Sequence, residues 1–567
     1  MHPLLHAATL LLLAPMPQPR PQDSVPPAAD DPSSLPDPSD VRGAARTIGA
    51  HFTDGEIELM LPDLHENLAS FEALRGVHLD NSVAPALTFL PSGRQLEGTP
   101  VARLSAKPPA GLEDVRRPVD LAELAWLSIP ELSRLIHARA VSCEEVTEFF
   151  LARLTEYDPT LHFLIERTDE RARAQARALD RELDEGHSRG LLHGIPWVAK
   201  DLLAVRGTRT TWGAAPFRDQ VIDADATVVE RLDDAGAVLI AKVSLGALAW
   251  GDVWFGGKTR NPWNPEQGSS GSSAGPASAV AAGCAPFGIG SETLGSIVSP
   301  STRCGNSSLR PTFGRVPRGG AMALSWSMDK LGPICRSAVD AGIVFDAIHG
   351  AGPNDAASVW APLDIESDGS VEGWRVGYVE GTFDEDSGIS NVLDELRSLG
   401  VELVPIELPD YPVGDMVFVL SAEAGAAFDE FSIGGLDDEL VRQTRDAWPN
   451  VFRLARLIPA VDYLRANRLR ALLTRDLEET LRGVRALVHP SFAAGLLTAT
   501  NLTGHPTFVA PASFRDDGTP RSVSFTARHF GETDLLRLVR AWQASTHHHE
   551  RHPAPELSKE RRSPSGQ

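Results

Sequence analysis

The feature that most restricts the fold of this chain is an alternation of short apolar segments with amphipathic ones. Residues 226–235 have the apolar spacing of a helix, which Gly236 would end. Residues 237–241 form an apolar run typical of a buried strand. The same alternation recurs at residues 375–404, and strand-like segments return at residues 486–490 and 507–511. Strands that alternate with helices predict an α/β fold in which helices cover both faces of a sheet.

Composition restricts the possible partners. The chain has 567 residues, of which 42% are hydrophobic, enough for one large core or two ordinary ones. Its formal net charge of −23 argues against a nucleic-acid partner, because phosphate contacts need clustered Lys and Arg. Four widely spaced cysteines, without a CxxC pair, fit neither a disulfide framework nor a zinc site.

The N-terminus carries a short apolar run that suits the core of a signal peptide and predicts a secreted or periplasmic protein. The segment before this run lacks Lys and Arg, so a cytoplasmic protein remains the alternative. No other stretch approaches transmembrane length, and no integral membrane anchor is expected. The predicted organisation begins with a signal peptide at 1–16, a Pro-rich disordered linker at 17–41 and an N-terminal extension at 42–120, which contains a helix over 54–75. The main domain follows at 121–552, and a loose polar tail at 553–567.

Two capping boxes mark the first helices of the main domain. Ser128 precedes Glu131 and Ser142 precedes Glu145 at the spacing in which each side chain bonds the other's backbone N–H. These helices are expected to pack against the core and to carry no chemistry.

Three separate segments carry residues that could act in catalysis. Ser296 follows an apolar strand in a tight Gly-containing turn, where unpaired backbone N–H groups could form an oxyanion hole. Ser272 and Ser273 lie in a Gly/Ser loop, which alone is more often a linker. Lys200 ends an apolar run that should carry its amine into the interior, although a structural pair with Asp201 is the plainer interpretation.

Together these segments resemble the amidase signature family, whose catalytic centre is a serine–cis-serine–lysine triad. The Gly-Ile-Pro-x-x-x-Lys-Asp motif of that family matches residues 194–201, its Gly/Ser loop matches 270–275, and its nucleophile segment matches 294–297. Further matches fall in family order between about residues 120 and 550. The resemblance implies an amidase-signature fold with a large mixed β-sheet.

The resemblance implies that Ser296 is the nucleophile, Ser272 the bridging serine and Lys200 the base. It also implies a hydrolase of linear amides, whose reaction forms an acyl-enzyme intermediate. The supporting loop contains Gly271 and Ser273. The backbone N–H groups expected to hold the oxyanion belong to Thr293, Leu294, Gly295 and Ser296. The family implies no cofactor and no metal.

The chain also departs from the family pattern. Glu292 replaces the usual Asp, Leu294 the usual Gly, and Val298 the usual Arg. We therefore expect the usual acid–arginine pair beside the nucleophile to be absent and the substrate entrance to be bulkier. The expected substrate is a small or medium carboxamide, and the oligomeric state is left open, a homo-oligomer included. The alternatives are a glutamine-hydrolysing subunit of a tRNA-dependent amidotransferase and a non-catalytic binding protein on the same fold.

Rival motifs are weaker. Residues 271–275 also match G-x-S-x-G, the nucleophile elbow of α/β-hydrolases, with Ser273 as nucleophile and His489 or His505 as base. That elbow must directly follow a strand, and the Pro-rich segment before residue 271 is not expected to form one. The S-x-x-K match that begins at Ser327 is followed by a Gly-Pro pair that would break the required helix. The histidine cluster at 547–552 could bind metal adventitiously and is expected to be a solvated turn.

Overall fold

An eleven-stranded mixed β-sheet runs through the structure, a computed structural model that describes residues 35–87, 115–352, 354–365 and 370–553. The helices are α1 Pro38–Ile48, α2 Asp54–Gly76, α3 Ile129–His137, α4 Cys143–Leu161, α5 Asp169–Asp184, α6 Thr227–Asp234, α7 Ala274–Ala281, α8 Val298–Cys304, α9 Ala338–Ile348, α10 Val392–Ser398, α11 Phe418–Ala427, α12 Asp429–Ile433, α13 Trp448–Ala455, α14 Ala460–Thr480, α15 Leu496–Thr503 and α16 Glu532–Thr546. The strands are β1 Leu164–Arg167, β2 Pro196–Lys200, β3 Val238–Val243, β4 Val253–Trp254, β5 Gly257–Lys258, β6 Arg260–Asn261, β7 Asn264–Gly268, β8 Phe287–Glu292, β9 Ser307–Arg310, β10 Lys330–Cys335, β11 Arg375–Tyr378, β12 Glu402–Pro405, β13 Ala486–Pro490, β14 Thr507–Phe514 and β15 Pro520–Thr526.

The order of strands in the large sheet is β1-β3-β2-β8-β10-β9-β14-β15-β13-β11-β12. Pairs around β2 and around β11 are parallel, whereas the pairs that involve β10, β14 and β15 are antiparallel. Helices α7, α8, α9 and α16 pack against these strands. The prediction of an α/β fold built on a large mixed sheet is confirmed.

The register of three neighbouring strands brings the candidate residues together. β2 and β8 are parallel, with Ala199 opposite Ile289, so Lys200 and Ser291 lie at the same end of the pair. β10 runs antiparallel to β8 and places Lys330 opposite Glu292. Because the chain turns sharply after β8, the loop that carries Ser296 begins at this edge of the sheet.

Helix α7 lies very close to the sheet because it consists of small residues, all of them buried. Its Pro276 is so near β8 that a Cβ on Gly288 would lie 3.1 Å from the Cβ of Pro276. Close packing of this kind fixes the start of α7, and the Ser272–Ser273 segment leads directly into that start.

The N-terminal extension packs against the rest of the chain. Helix α2 agrees with the helix predicted over 54–75, and it contacts α13 and α14. Its Phe71 and Leu74 are buried in the main hydrophobic cluster. The Arg75 guanidinium donates to both carboxylate oxygens of Asp462, at 3.1 and 2.6 Å.

Two local predictions are corrected. Helix α1 begins at Pro38, inside the predicted linker, because Asp37 caps its first N–H groups and Pro38 suits the first helical turn. Ser142 does cap α4, but the Glu145 carboxylate bonds Arg117 and does not return to the serine backbone. The box at Ser128 and Glu131 is complete, as predicted. The segment predicted as signal peptide lies outside the described residues, as does the polar tail beyond Pro553.

All four cysteines are buried and free. Within the described ranges, none of the helices is both long and apolar enough to cross a membrane. The core is instead formed by the apolar strands and the helices around them.

Candidate active site

Lys200 ends β2 with its side chain completely buried. Its Nζ lies 2.8 Å from Ser272 Oγ, 3.0 Å from Ser273 Oγ and 2.9 Å from Ser291 Oγ. It also lies 3.3 Å from the Ser291 carbonyl oxygen. The amine is therefore surrounded by hydroxyl and carbonyl oxygens, and the prediction that Lys200 enters the interior is confirmed.

The alternative pair between Lys200 and Asp201 does not form. Asp201 turns to Lys242, and the two buried side chains lie 2.7 Å apart. No carboxylate among the described residues lies within ion-pair distance of Lys200. Burial accordingly brings the pKa of Lys200 well below its ordinary value of 10.5, against the weaker opposing effect of the charges of Asp329 and Glu292.

The Gly/Ser loop has an unusual backbone and leaves no room for a side chain at Gly271. The Gly271–Ser272 peptide bond is cis. A Cβ on Gly271 would lie 1.9 Å from the Gly251 carbonyl oxygen, so no larger residue fits there. Ser270, where the family usually has glycine, adopts a positive φ of 61°. The loop therefore presents Ser272 to Lys200 through close backbone contact with the Gly251 segment.

Ser273 has a supporting position. Its hydroxyl donates to the Ser291 carbonyl at 3.0 Å and accepts from the Ser291 N–H at 3.1 Å. Its own N–H donates to the Ser296 carbonyl at 3.1 Å. This last bond connects the Gly/Ser loop to the loop that carries the predicted nucleophile.

Ser296 lies on the wall of a cavity of about 530 Å³. Among the described residues its hydroxyl has no hydrogen-bond partner, and it makes no hydrogen bond with Ser272. The structure thus brings Lys200 and Ser272 into direct contact and leaves the Ser296 hydroxyl open to the cavity. Catalytic hydrogen bonds are often long before substrate binds and shorten in the substrate complex.

The turn before Ser296 leaves its amides unpaired. The N–H groups of Thr293, Leu294, Gly295 and Ser296 donate to no acceptor in the part of the chain that the structure describes. Gly295 adopts a φ of +82°, and a Cβ there would lie 2.9 Å from Ser299 Oγ. Successive free amides in such a turn are the donors that an oxyanion hole needs.

A buried acid–arginine pair supports this turn, although the usual pair with an arginine at position 298 is absent, as expected, because that residue is Val298. Glu292 Oε1 accepts from Arg310 at 2.8 Å, and both side chains are fully buried. Glu292 Oε2 accepts from the N–H groups of Ile297 and Val298, at 2.7 and 2.8 Å. The arginine comes from β9 instead of from position 298, which is why the local motif did not predict it.

The charge of Glu292 is stabilised by these partners. Burial alone would raise its pKa, but the positive charge of Arg310 and the hydrogen bonds from Arg310 and Val298 lower it to about 2. Asn501 adds a further bond to Glu292 Oε1 at 2.7 Å. The carboxylate is therefore ionised and fixes the start of α8 directly behind Ser296.

Two further residues of the site were missed at the sequence level. Ser291 holds Lys200, and Asp329 accepts from the Thr293 hydroxyl at 2.6 Å. The other Asp329 oxygen accepts from the N–H groups of Leu324 and Ser325, at 2.8 and 2.9 Å. The signal for Asp329 was present, since it lies in a segment that matches the family, but nothing in its spacing to Thr293 indicated contact.

The cavity beside Ser296 has an apolar wall and a charged one. The predicted bulky residue Leu294 does line it. The other apolar residues that line it include Trp250, Leu324, Val417, Leu420 and Trp448. The charged residues that line it are Asp252, Lys258 and Arg303. A space of this volume suits a small or medium ligand with apolar and polar parts.

The rival motifs do not assemble. His489 contacts Pro490 and Thr526, and neither it nor His505 bonds Ser273. Contrary to expectation, the segment before Ser273 forms a short strand, β7. Among the described strands, β7 pairs with β6 alone, in a two-stranded ribbon separate from the large sheet. Pro265 is tolerated there because an edge strand does not need every backbone N–H.

The S-x-x-K match also fails. Lys330 lies in strand β10 and donates to the Met328 carbonyl, whereas the Ser327 hydroxyl bonds Glu423 and Arg470. The two residues of that motif therefore have no common contact.

Comparisons with known proteins agree with this geometry. The sequence profile of the amidase family matches residues 145–498. A glutamyl-tRNA(Gln) amidotransferase subunit of Thermosynechococcus vestitus is 31% identical over 477 residues, which is 75% of this chain and 99% of the relative. The corresponding subunit of Moorella thermoacetica is 33% identical over 482 residues, 76% of this chain and 99% of the relative. The structure of the peptide amidase of Stenotrophomonas maltophilia superimposes with a TM-score of 0.66 at 27% identity, over 76% of this chain and 98% of that one.

Proposed function

Because the chain belongs to the amidase family, we propose that it hydrolyses the C–N bond of a linear carboxamide bound in the cavity beside Ser296. Ser296 is the nucleophile, Ser272 the bridging serine and Lys200 the base. The observation that carries this proposal is the fully buried Lys200 amine, which lies 2.8 Å from Ser272 Oγ and has no acidic partner at ion-pair distance among the described residues. Burial disfavours the charged form of such a lysine and lowers its pKa, which makes available the neutral amine that can accept a proton.

The hydroxyl groups around Lys200 differ in what they can donate. Ser273 uses its hydrogen on the Ser291 carbonyl, so it can only accept from the amine. Ser272 has no such competing acceptor among the described residues. Its hydroxyl can therefore give its proton to the lone pair of neutral Lys200 while its oxygen takes the proton of Ser296.

The reaction then follows from the positions of these groups. Deprotonated Ser296 Oγ attacks the amide carbon, and the free N–H groups of Thr293, Leu294 and Gly295 hold the oxyanion. When the C–N bond breaks, the proton held by Lys200 returns through Ser272 to the departing amine. Water then attacks the acyl-enzyme and gives its proton to the same relay. When the C–O bond to Ser296 breaks, the relay returns this proton to Ser296 Oγ, and the carboxylic acid is released.

A comparison of two leaving groups tests the role of the lysine. Lys200→Met removes the base but keeps a side chain of similar length. An amide needs a proton on its departing nitrogen, whereas an activated ester needs little proton donation. We expect kcat/KM of the variant to fall at least about tenfold more on an amide than on an activated ester of the same acyl group, since general acid–base catalysis contributes roughly 10²–10⁴-fold.

Steady-state kinetics on matched amide and ester pairs provides the measurement. Ser296→Ala is the reference variant, and it should lose turnover of both substrates. Equal losses on amide and ester in Lys200→Met would contradict the relay. Wild-type protein without turnover on a broad amide and ester panel would favour a non-catalytic binding protein.

The second candidate function is the hydrolysis of glutamine within an amidotransferase complex. It is favoured by the relatives named as subunits of glutamyl-tRNA(Gln) amidotransferase, which match this chain over 99% of their own length. A protein with this role should release ammonia from glutamine and should co-purify with further subunits from its native cell. Efficient turnover of other amides by the isolated chain, with no glutaminase activity, would exclude this candidate.

Export is a separate proposal that depends on the apolar N-terminal run alone. The protein recovered from its native host should then lack residues 1–16 and occur outside the cytoplasm. Peptide mass spectrometry of the recovered N-terminus tests this, and an intact Met1 in a cytoplasmic fraction would contradict it.

A further inference from the structure

Away from the candidate active site, one carboxylate and two imidazoles converge at a junction of three elements. Glu478 lies near the end of α14, His505 in the turn between α15 and β14, and His529 after β15. One potential ligand atom from each of these residues lies within 4.8 Å of the others. His505 is completely buried, and the other two side chains are largely buried.

The hydrogen bonds on the far side of each ring fix the imidazole tautomers. Thr503 Oγ1 donates to the Ala499 carbonyl, so towards His505 Nδ1, at 2.6 Å, it can only accept. His505 Nδ1 therefore carries the hydrogen. His529 Nε2 lies 2.8 Å from the Thr503 carbonyl oxygen, which is only an acceptor, so this nitrogen carries the hydrogen of its ring.

The remaining ring nitrogens then present lone pairs towards Glu478. His505 Nε2 lies 3.2 Å and His529 Nδ1 3.3 Å from Glu478 Oε1. His505 Nε2 is a buried polar atom without a hydrogen-bond partner among the described residues. The backbone N–H of His529 donates to Glu478 Oε1 at 2.7 Å and holds this oxygen beside both rings. With these tautomers, one lone pair from each ring and the remaining lone pair of Glu478 Oε1 meet with no hydrogen between them, an arrangement that a cation would satisfy.

We propose that Glu478, His505 and His529 bind a divalent transition-metal ion of the Zn²⁺ class. The two nitrogen–oxygen separations of 3.2 and 3.3 Å fit such an ion, because ligands about 2.0–2.2 Å from a tetrahedral metal lie roughly 3.3–3.6 Å from one another. Metal-bound histidines usually donate their other ring N–H to an oxygen, as both rings do here to Thr503. Arg528 donates to the second Glu478 oxygen at 2.9 Å and orients the carboxylate.

The bound ion would act as a structural clamp. It would connect the end of α14 to the two turns that enter β14 and leave β15. The His505 carbonyl accepts from Arg310 at 2.8 Å, and Arg310 pairs with Glu292 behind the predicted nucleophile. The clamp would thereby stabilise the support of the candidate active site without contacting the substrate cavity.

Metal content measured by mass spectrometry of untagged protein tests this site. Because the neighbouring residues His547, His548 and His549 could bind metal adventitiously, all three are first replaced by Gln. We expect this background protein to hold one Zn²⁺ per chain after equilibration with Zn²⁺ and desalting. His505→Gln and His529→Gln in the same background should each lower the content at least tenfold.

Thermal unfolding provides a second measurement that does not depend on metal analysis. Chelator-treated background protein should unfold at a lower temperature, and stoichiometric Zn²⁺ should restore its Tm but leave the Tm of His529→Gln unchanged. Two results would overturn the proposal: background protein that holds no Zn²⁺ and shows no shift in Tm, or unchanged Zn²⁺ content in His529→Gln. The first would mean that a proton joins the three groups.

Discussion

At the scale of single residues, the proposed catalysis depends on the protonation of one amine, the Nζ of Lys200. Burial lowers its pKa well below 10.5 and thereby makes it available as a base. The residue owes this property to its position at the end of an entirely buried strand. An exposed lysine at the same point in the mechanism would be protonated and inactive near neutral pH.

The first prediction concerns the pH dependence of amide hydrolysis. The neutral amine is the active form, so kcat/KM should fall as the pH drops through the pKa of Lys200 and should level off above it. Because burial lowers that pKa, the plateau should begin well below pH 10.5. Initial-rate measurements over a range of pH test this, and activity that rises only near pH 10.5 would show that the lysine keeps its ordinary pKa.

Contacts between single residues could be predicted where a family motif also indicates the chemistry of its residues. Lys200 and Ser272 were predicted as partners and lie in contact. Ser291 and Asp329 were not predicted, because their contacts with Lys200 and Thr293 arise from the pairing of β8 with its neighbours. A single sequence does not indicate which strands pair, so residues that are adjacent only across the sheet could not be recognised from it.

At the scale of elements, the loop between β8 and α8 depends on the pair formed by Glu292 and Arg310. The carboxylate holds two N–H groups at the start of α8, and the guanidinium also donates to the His505 carbonyl and to Thr507. This network joins the loop to β9 and β14. Its loss should affect folding as well as catalysis.

We therefore predict that Arg310→Met lowers the free energy of unfolding by about 3–5 kcal/mol, the usual cost of leaving a buried charge without its partner. Arg482→Met is a matched control, since its side chain is 68% exposed and pairs only at the surface. That variant should lose no more than about 1 kcal/mol. Urea unfolding of both variants provides the measurement, and equal small losses would contradict a supporting role for the pair.

The same pair gives the wild type a defined sensitivity to acid. The pKa of Glu292 is lowered from 4.5 to about 2 in the folded chain. A lowered carboxyl pKa contributes stability above the unfolded value, and that contribution is lost as the pH falls from about 4.5 towards 2. Unfolding experiments across this range should therefore show stability that decreases with falling pH.

Elements such as α6 and β3 could be predicted because their apolar residues have the spacing of an amphipathic helix and of a buried strand. The exceptions have physical reasons. Strand β7 contains Pro265, which is unfavourable in a central strand but tolerated in a two-stranded ribbon. The start of α1 depends on a cap at Asp37 within a Pro-rich segment, whose composition indicated disorder.

At the scale of the whole molecule, the N-terminal extension is part of the folded unit. Phe71 is 2% exposed, and its ring packs edge-on against Phe418 at 5.0 Å between centroids. The composition of the extension predicted its long helix but not where the helix would pack. The helix packs against α13 and α14, which lie almost four hundred residues away in the chain, and no local pattern contains that information.

We predict that Phe71→Ala lowers the free energy of unfolding by about 3–5 kcal/mol, as expected for a large buried aromatic side chain. Phe492→Ala provides the matched control, because that ring is 56% exposed. Its loss should stay within about 0.5 kcal/mol. We expect each variant to unfold in a single cooperative transition, with the larger loss of unfolding free energy only in Phe71→Ala. Equal losses in Phe71→Ala and Phe492→Ala would mean that α2 contributes little to the stability of the whole molecule.

The most direct test of the central claim is mass spectrometry after treatment with a serine-reactive fluorophosphonate. The account predicts one covalent adduct, located on Ser296 by peptide analysis. It should be absent in Ser296→Ala and present in Ser299→Ala, whose hydroxyl lines the same cavity. An adduct on Ser273 in place of Ser296, or an unmodified Ser296 in protein that turns over amides, would contradict the assignment of the nucleophile.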